Sequence, residues 1–542
     1  MKGGFRGLFP SRGDYALLRY TWRADITAGL TVGIVALPLA LAFGVSSGVG
    51  AEVGLITAII AGLIAAVFGG SNVQVSGPTG AMVVVLAPIV IDHGVAAVAV
   101  VSVMAGLLVL LAGLFRLGGT VSYIPWPVIE GFTAGIGVII FMQQVPDAVG
   151  YTGDQHSNAL VAAWQAVSGT EWPAALVPVA VVVAVVLIML VLGNLAPKVP
   201  ASFAAIVVVS VLVAVLALPL DTIGELPRSL PPPGLPAIEP GMMQALAGPA
   251  VAVAALAAIE SLLSARVAAS MADTGPYHAD RELVGQGLAS IGAGFFGGMP
   301  ATGAIARTAV NVRTGGRTRV SVIVHALVLL AVVYVAAGVV SVIPLAALSG
   351  VLMVTAARMV SPEVIARILR SSRSDAVVFL VTAVVTVSVD LVVAVFVGIV
   401  VAAFFILRTM SQNTRVIREV LPGEAEPGDS RIALFRIEGS LFFGAAERIL
   451  EQVNDYAGVS VVILRLSQLQ MIDTTGAHQL TELVGSLEKR GVTVLIKGVR
   501  PEHIHVLGVL GAIRSLRHPN HLFEELDPAV THARSHIDRT GG

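Results

Sequence analysis

Long apolar runs separated by short polar connections occupy most of the chain. Runs of membrane length predict fourteen helical segments in two sets of seven. The first set covers about 26–45, 53–69, 78–91, 95–115, 125–145, 174–193 and 200–219, and the second covers about 247–267, 283–296, 302–313, 320–342, 344–360, 375–390 and 392–408. Because each set has an odd number of segments, the second set is inverted relative to the first. The pattern therefore predicts an α-helical membrane protein with 14 transmembrane segments as a 7+7 inverted repeat.

The distribution of basic residues predicts the orientation of these segments. When the N-terminus is placed inside and the segments alternate, arginine and lysine gather at the inner ends, and the outer loops hold only Arg228. An excess of basic residues on one side marks the cytoplasmic face. The sequence therefore predicts a multi-pass protein of the plasma (inner) membrane with both termini in the cytoplasm.

The third segment of each set follows a break that contains glycine and proline. The breaks are residues 75–81 (VSGPTGA) and 297–307 (GGMPATGAIAR), and the second is expected to start a short helix near Thr302. A helix that begins inside a membrane presents unpaired N–H groups and a partial positive charge, which suit an anion. Arg307 adds a fixed positive charge. The backbone donors expected to bind the anion are those of Gly80, Ala81, Ile305 and Ala306.

Ionisable side chains inside apolar segments are costly in lipid and are treated as functional hypotheses. They are Glu130, Glu260, Arg307 and His325. Glu260 could bind a coupling ion, most simply a proton, or could form a permanent ion pair with Arg307. Arg307 could attract the substrate, or only neutralise Glu260. A structural hydrogen bond to neighbouring backbone is favoured for Glu130, and a satisfied packing position is favoured for His325.

Hydroxyl groups near the breaks form a second set of candidates. Thr79 and Thr302 lie at or near the predicted helix starts, where each could cap its helix or offer a hydroxyl to an anion. Ser264 follows Glu260 by four residues and shares its helix face.

Composition narrows the function. The 542-residue chain is 56% hydrophobic and 12% charged, and a typical soluble domain is about 25% charged. A net charge of −1 gives no reason to expect a nucleic-acid partner. The absence of cysteine excludes a thiol nucleophile and a Cys metal site. No nucleotide-binding motif or nucleophile–base pair is present, so no enzyme activity, cofactor or metal is predicted, and the histidines after position 500 are expected to be exposed to solvent.

The C-terminal part changes to alternating strands and helices. Strands are predicted at 432–437, 461–466 and 492–496, and helices at about 445–454, 475–489 and from about 501. Asp473 or Thr474 is predicted to cap the second helix. The predicted division is a cytoplasmic N-terminus (1–24), a transmembrane domain (25–408), a linker (409–430), a small cytoplasmic α/β domain (431–530) and a flexible tail (531–542). The proline-rich outer loop 221–240 is expected to be an extended connection between the halves.

With these residues in place, the chain resembles the sulfate permease (SulP) family of anion transporters. The matching motifs are residues 36–43 (ALPLALAF), 75–80 (VSGPTG), 131–136 (GFTAGI), 260–264 (ESLLS), 281–287 (RELVGQG) and 297–316. The C-terminal part resembles the STAS domain, with residues 473–476 (DTTG) at its motif. The resemblance implies a core domain (segments 1–4 and 8–11) that moves against a gate domain (5–7 and 12–14) in an elevator-type motion, and a homodimer. It places substrate between segments three and ten, with Phe43 closing the pocket and Glu260 at the coupling position, where a glutamate suggests protons rather than sodium.

The resulting prediction is a secondary active transporter of a small inorganic or organic anion (a dicarboxylate, bicarbonate or sulfate), coupled to protons by symport. Two alternatives remain at this point. One is a nucleobase permease of the same fold, against which Arg307 and the STAS-like domain argue. The other is a membrane-tethered signalling scaffold, for which fourteen segments with two breaks are more than an anchor requires.

Overall fold

The computed structural model describes residues 5–153, 156, 158–196, 199–226, 228–236, 241–271, 274, 277–389, 391–412, 415–441 and 458–540. The chain divides into two compact units, Met1–Val400 and Val401–Gly542. The first unit is helical, and the second contains a mixed β-sheet.

Apolar helices build the first unit. Along residues 5–412 the described α-helices are α1 (Leu18–Ser46), α2 (Ala51–Phe68), α3 (Gly80–His93), α4 (Ala96–Leu114), α5 (Trp126–Gln143), α6 (Val145–Val149), α7 (Ala159–Gly169), α8 (Trp172–Leu195), α9 (Ala201–Val215), α10 (Met242–Met271), α11 (Ala279–Phe295), α12 (Ile305–Arg313), α13 (Arg319–Val340), α14 (Leu345–Met359), α15 (Pro362–Ser371), α16 (Arg373–Ser388) and α17 (Leu391–Gln412). Two short 3-10 helices, Phe5–Leu8 and Arg12–Tyr15, precede α1.

The predicted helical pattern is confirmed, because each of the fourteen predicted segments overlaps one of these helices. Among the described residues, 8 helical stretches are long and apolar enough to cross a membrane, and α3, α7, α9 and part of α17 are shorter apolar helices. The fourteen-span count stays a prediction. Helices α6, α7 and α15 are not predicted; α15 (PEVIARILRS) lacks a continuous apolar run because charged residues interrupt it.

Small residues allow α4 and α11 to pack closely. A β-carbon on Gly106 of α4 would lie 2.8 Å from the carbonyl oxygen of Gly287, and one on Gly287 of α11 would lie 2.7 Å from the carbonyl oxygen of Gly106. No side chain fits at either position without a backbone shift. Close backbone approach through glycine is typical of helix packing in membranes.

The two breaks pair with each other as short strands. Strand β1 (Ser76–Gly77) runs antiparallel to β2 (Thr302–Gly303). The non-helical backbone thus finds hydrogen-bond partners within the protein, as it must at membrane depth. The prediction that the second short helix starts near Thr302 is wrong: Thr302 lies in the strand pair, and α12 begins at Ile305.

The second unit is built on a six-stranded sheet with helices on both faces. Its elements are β3 (Arg415–Glu419), β4 (Ile432–Leu441), β5 (Val461–Arg465), β6 (Leu469–Ile472), α18 (Thr474–Lys489), β7 (Thr493–Lys497), α19 (Pro501–Val509), β8 (Leu522–Phe523) and α20 (Leu526–Thr540). The strand order is β3-β4-β5-β7-β8, with β6 also paired to β4. Strand β3 is antiparallel to β4, and the other pairs are parallel.

The predicted strands and helices of this unit are confirmed where the structure describes them; the predicted helix at 445–454 lies outside the described residues. The predicted linker 409–430 contains strand β3, because its alternating residues pair with β4. The predicted flexible tail is wrong, since 531–540 belong to α20. Helix α20 packs its apolar face on the sheet through Ala529, Val530, Ala533 and Ile537.

The structure agrees with the predicted N-cap of α18 but not with the predicted exposure of two late histidines. Asp473 caps α18 as predicted, because its Oδ1 accepts a hydrogen bond from the Gly476 N–H at 2.7 Å. The expectation that the late histidines are exposed is wrong for His503 and His521, each of which is only 7% exposed.

Candidate functional site

Side chains of α12 hold the backbone of the first break. The Thr308 hydroxyl accepts a hydrogen bond from the Val75 N–H at 3.0 Å, and the Asn311 side-chain amide donates to the Val73 carbonyl at 2.8 Å. The Ala304 N–H donates to the Val75 carbonyl at 2.8 Å. These bonds hold the starts of α3 and α12 beside each other, inside an apolar bundle.

Glu260 of α10 reaches this crossing. Its Oε2 accepts hydrogen bonds from the hydroxyls of Thr79 and Thr302, each at 2.8 Å. Neither threonine caps a helix with its side chain, because Thr79 makes no side-chain cap bond and the N-cap of α12 is Ala304. The capping alternative for the two threonines is therefore wrong, and their hydroxyls bind the carboxylate instead.

Arg307 lies in the first turn of α12, and its side chain is almost completely buried. Its Nη2 donates a hydrogen bond to the carbonyl oxygen of Pro78, just before α3. Its Nη1 has no hydrogen-bond partner among the described residues. A β-carbon on Gly77 would lie 2.8 Å from this Nη1, so glycine makes room for the guanidinium. Arg307 thus binds the start of α3 and does not form a direct ion pair with Glu260.

The first-turn N–H groups of α3 and α12 have no acceptor within their own helices. Ile305 is 40% exposed, and Ala306 beside it is also exposed. Gly80 and Ala81 are buried. The start of α12 is therefore exposed, whereas the start of α3 is enclosed.

Two apolar side chains cover the start of α3. A β-carbon on Gly80 would lie 3.4 Å from Cε1 of Phe43 and would collide with the side chain of Ile140. Phe43 comes from α1 and Ile140 from α5, and both are buried. The aromatic ring predicted to lie at the site is therefore next to the first N–H groups of α3.

The serines of α10 lie beside the strand pair. The Ser264 hydroxyl is 3.5 Å from the Thr308 hydroxyl and is completely buried. Ser261, which was not predicted, accepts a hydrogen bond from the Gly303 N–H at 3.0 Å. Its position directly after Glu260 was the available signal.

The other two ionisable candidates are Glu130 and His325. Glu130 is bound by a side chain and not by backbone, because the indole N–H of Trp126 donates to its Oε1 at 3.0 Å. His325 is completely buried in α13, as expected for a packing histidine.

A second buried polar cluster was missed by the sequence analysis. Asp14 binds Arg281, and Glu282 accepts hydrogen bonds from the backbone N–H groups of Gly70 and Ser71. The cluster lies at the end of α2 and is linked to the crossing by Gln286, whose Nε2 donates to Glu282 Oε1 and to the hydroxyl of Ser76 in β1. Its sequence signal is the run of three charged residues, Asp280, Arg281 and Glu282, directly before the apolar segment that starts at about 283.

Two interrupted helices that cross inside an apolar bundle, with an arginine and a glutamate at the crossing, are typical of membrane transporters. Comparison with known proteins identifies the family within this class. The chain belongs to the sulfate permease family, whose model matches residues 22–382, and residues 426–529 match the STAS domain. The resemblance seen in the sequence motifs is confirmed.

Relatives with transporter names match most of the chain. Putative sulfate transporter YvdB of Bacillus subtilis (strain 168) is 35% identical over 85% of this chain and 88% of its own length. Bicarbonate transporter BicA of Synechocystis sp. (strain PCC 6803) is 30% identical over 80% of both chains. The structure of murine Solute Carrier 26 family member A9, an anion transporter, covers 99% of this chain and 96% of its own, with a TM-score of 0.83 at 17% identity. This last likeness concerns the fold alone.

Proposed function

We propose that this protein carries a small anion across a membrane by secondary active transport, and that the anion binds between the starts of α3 and α12. The observation that carries the proposal is the buried guanidinium of Arg307, whose Nη1 has no partner among the described residues. A buried donor on a charged group is costly to leave unpaired. A bound anion would satisfy it.

The anion would bind to backbone as well as to this side chain. The proposed donors are the N–H groups of Gly80, Ala81, Ile305 and Ala306, with the side chains of Phe43, Thr79, Ser264, Thr302 and Arg307 around them. Helix starts stabilise anions through unpaired N–H groups and the helix dipole. Because these donors are backbone groups, they would accept several small anions of similar size.

The proposed substrates are bicarbonate, sulfate or a dicarboxylate. Bicarbonate and sulfate are supported by the names of the relatives at 30% and 35% identity. Each of these anions has planar or tetrahedral oxygens that match a guanidinium and converging N–H groups.

Glu260 is the proposed coupling group. Its carboxylate is bound by two hydroxyls rather than by a permanent basic partner. It lies close enough to Arg307 for protonation to change the charge around the anion, so a proton and an anion would bind together. Protons are proposed in preference to sodium.

The proposed movement is of elevator type. Helices α1–α4 and α10–α13 would form the moving core, and α5–α9 with α14–α17 the gate. Both breaks, Glu260 and Phe43 belong to the core, whereas Ile140 on α5 belongs to the gate. The protein is proposed to be a homodimer in the plasma membrane with both termini in the cytoplasm.

Uptake by purified protein in liposomes tests this function. Labelled bicarbonate, sulfate and a dicarboxylate would be offered with and without an inward pH gradient. We expect one or more of them to accumulate, and to do so more strongly with the gradient. Entry of no anion under any gradient would overturn the proposal and would favour a membrane-tethered scaffold, and uptake of uncharged nucleobases instead would favour a permease of that kind.

A further inference from the structure

The N-terminal segment, residues 5–17, is attached to the helical unit by one carboxylate. Asp14 receives two hydrogen bonds from the guanidinium of Arg281, 3.1 Å to Oδ1 and 2.7 Å to Oδ2. The Nε of Arg319 lies 3.6 Å from the same Oδ2. The side chains of Arg281 and Arg319 are only 4% and 1% exposed, whereas that of Asp14 is 13% exposed.

The two guanidinium groups are held in place by backbone that does not belong to the N-terminal segment. Arg319 donates from Nη1 to the carbonyl of Ala66 at 2.9 Å, and Arg281 donates from Nε to the carbonyl of Phe68 at 3.3 Å. These carbonyls belong to the last turn of α2, where they have no donor within their own helix and where the helix dipole favours cations. The arginines would therefore keep their positions if Asp14 moved away.

Asp14 is the partner that balances this charge. Among the described residues, it is the only carboxylate that forms an ion pair with either Arg281 or Arg319. The nearby Glu282 forms no ion pair with either arginine, because its oxygens accept hydrogen bonds from Gly70 N at 2.8 Å and from Gln286 Nε2 at 2.9 Å, but its negative charge also acts on Arg319. Burial opposes ionisation of Asp14, but the hydrogen bond from Arg281 and both positive charges outweigh it and lower its pKa to about 2.

The carboxylate of Asp14 does not satisfy every hydrogen-bond donor of the two guanidinium groups. Both of its oxygens accept from Arg281 and also from Ser11, and the buried Nε of Arg319 has no hydrogen-bond partner among the described residues. A tetrahedral oxyanion has further oxygens, so it could bind Arg281 in the same two-point manner and also accept from Arg319. The position thus suits a phosphate or sulfate group better than it suits a carboxylate.

The N-terminal segment has few other contacts that would hold it there. Leu8 is its one buried apolar side chain among the described residues 7–17, while Phe9 and Leu17 are 51% and 43% exposed. Among residues 7–17, moving away would therefore expose little apolar surface beyond Leu8 and the half-buried Tyr15, and replacement of Asp14 by another anion would decide whether these residues stay docked.

We propose that Arg281 and Arg319 form an anion-binding site for a phosphate- or sulfate-type group, distinct from the proposed transport site, and that Asp14 occupies it as a tethered competitor. The group could belong to a free ion or to the headgroup of an anionic lipid. When it binds, the N-terminal segment is displaced from the end of α2. This proposal does not depend on the transport function.

A single spin label reports this displacement in the intact protein. The chain has no cysteine, so Gly7→Cys creates a unique attachment point, and a β-carbon on Gly7 meets no atom within 4 Å. In detergent, inorganic phosphate should increase the mobile fraction of the label, whereas chloride at the same ionic strength should not. In lipid nanodiscs without phosphate, phosphatidylglycerol should do the same if a headgroup is the source, and phosphatidylcholine should not.

Three variants make the test specific. Asp14→Asn should raise the ratio of mobile to docked label about tenfold without any added anion, as expected for loss of charge-assisted hydrogen bonds. Arg319→Gln should abolish the response to phosphate, and Arg19→Gln, which removes an exposed charge from the start of α1, should keep it. Arg307→Lys should also keep it, whether or not transport is lost. A label that stays docked with both phosphate and phosphatidylglycerol, or a response that Arg19→Gln abolishes as fully as Arg319→Gln, would overturn the proposal.

Discussion

The hydroxyl oxygens of Thr79 and Thr302 lie 3.2 Å apart, although 223 positions separate the two residues in the chain. Thr79 lies in the first break and Thr302 lies in the second, and both bind the same oxygen of Glu260. The carboxylate of Glu260 on α10 is therefore hydrogen-bonded to both breaks at once. Any change in its charge acts directly on the place where α3 and α12 meet.

Glu260→Gln is expected to abolish gradient-driven accumulation of the anion while leaving the fold intact. Glutamine has nearly the same shape, and its amide oxygen can still accept the hydrogen bonds of both threonines, but it cannot take up a proton. Uptake in liposomes with and without a pH gradient measures this. Glu130→Gln is the matched control, because Glu130 is a half-buried glutamate whose side chain accepts a hydrogen bond from Trp126 and lies on α5, outside the Glu260 site. Proton-dependent uptake that is unchanged in Glu260→Gln would contradict the coupling role.

Arg307→Lys is expected to weaken anion binding. A lysine ammonium cannot bind the Pro78 carbonyl and also present a second nitrogen to the anion as the guanidinium does. The loss of one hydrogen bond to a charged group costs about 1.5–3 kcal/mol, or roughly a tenfold or greater rise in Kd. Isothermal titration of the purified protein with the transported anion measures it.

Arg313→Lys provides the control for this substitution. Arg313 is the last residue of the same helix, and it is exposed. Its replacement should leave the affinity unchanged. Equal affinities of the wild type and Arg307→Lys would show that the guanidinium does not contact the anion.

Thr308→Val is expected to destabilise the helical unit. Valine keeps the shape of the side chain but leaves the buried Val75 N–H without its acceptor. An unpaired buried N–H costs about 1–3 kcal/mol, so the midpoint of thermal unfolding in detergent should fall. Thr314→Val is the control, because the Thr314 hydroxyl bonds only within its own helix end. Equal midpoints for the two variants would show that the contact between Thr308 and the first break contributes nothing.

The sequence was sufficient for the helices and the breaks, because both depend on local signals. Apolar length predicts a membrane helix, and glycine with proline predicts its interruption. The strand pair between the breaks could not be predicted, since two-residue strands have no periodicity and their pairing depends on where the two halves meet. For the same reason the sequence identified Thr79, Glu260 and Thr302 separately but not their shared hydrogen bonds.

Long-range charge pairing was the least predictable feature. Asp14 precedes the first apolar run and Arg281 lies 267 residues later, so no spacing rule connects them. Helix α20 is a different case. Its buried residues Ala529, Ala533 and Ile537 recur at helical spacing, and the pattern was present but weak because alanine is only slightly apolar.

Acidification is expected to loosen α20 from the sheet of the second unit. His521 lies 5.3 Å from His532 between ring centroids, and the hydroxyl of Thr493 lies 3.0 Å from Nε2 of His536. Burial, together with the charges of His532, His518, His536 and Arg517, lowers the pKa of His521 to about 4. The pKa values of His532 and His536 are also lowered, first by burial and then by Arg539.

The direction of the pH effect follows from these pKa values. An unfolded histidine titrates near 6.5, so between about pH 6.5 and 4 the undocked state binds more protons than the folded state, and acidification favours it. The docked state is therefore fully stable above about pH 7 and loses stability as the pH falls toward 4.

Hydrogen exchange of residues 526–540 in the intact protein, corrected for the intrinsic exchange rate, should accelerate about tenfold or more between pH 7 and 5. A tenfold change is what a pKa difference of one unit produces. His521→Gln should flatten this dependence, whereas His478→Gln, at an exposed site on α18, should retain it. Identical pH profiles for the two variants would show that His521 does not control the docking of α20.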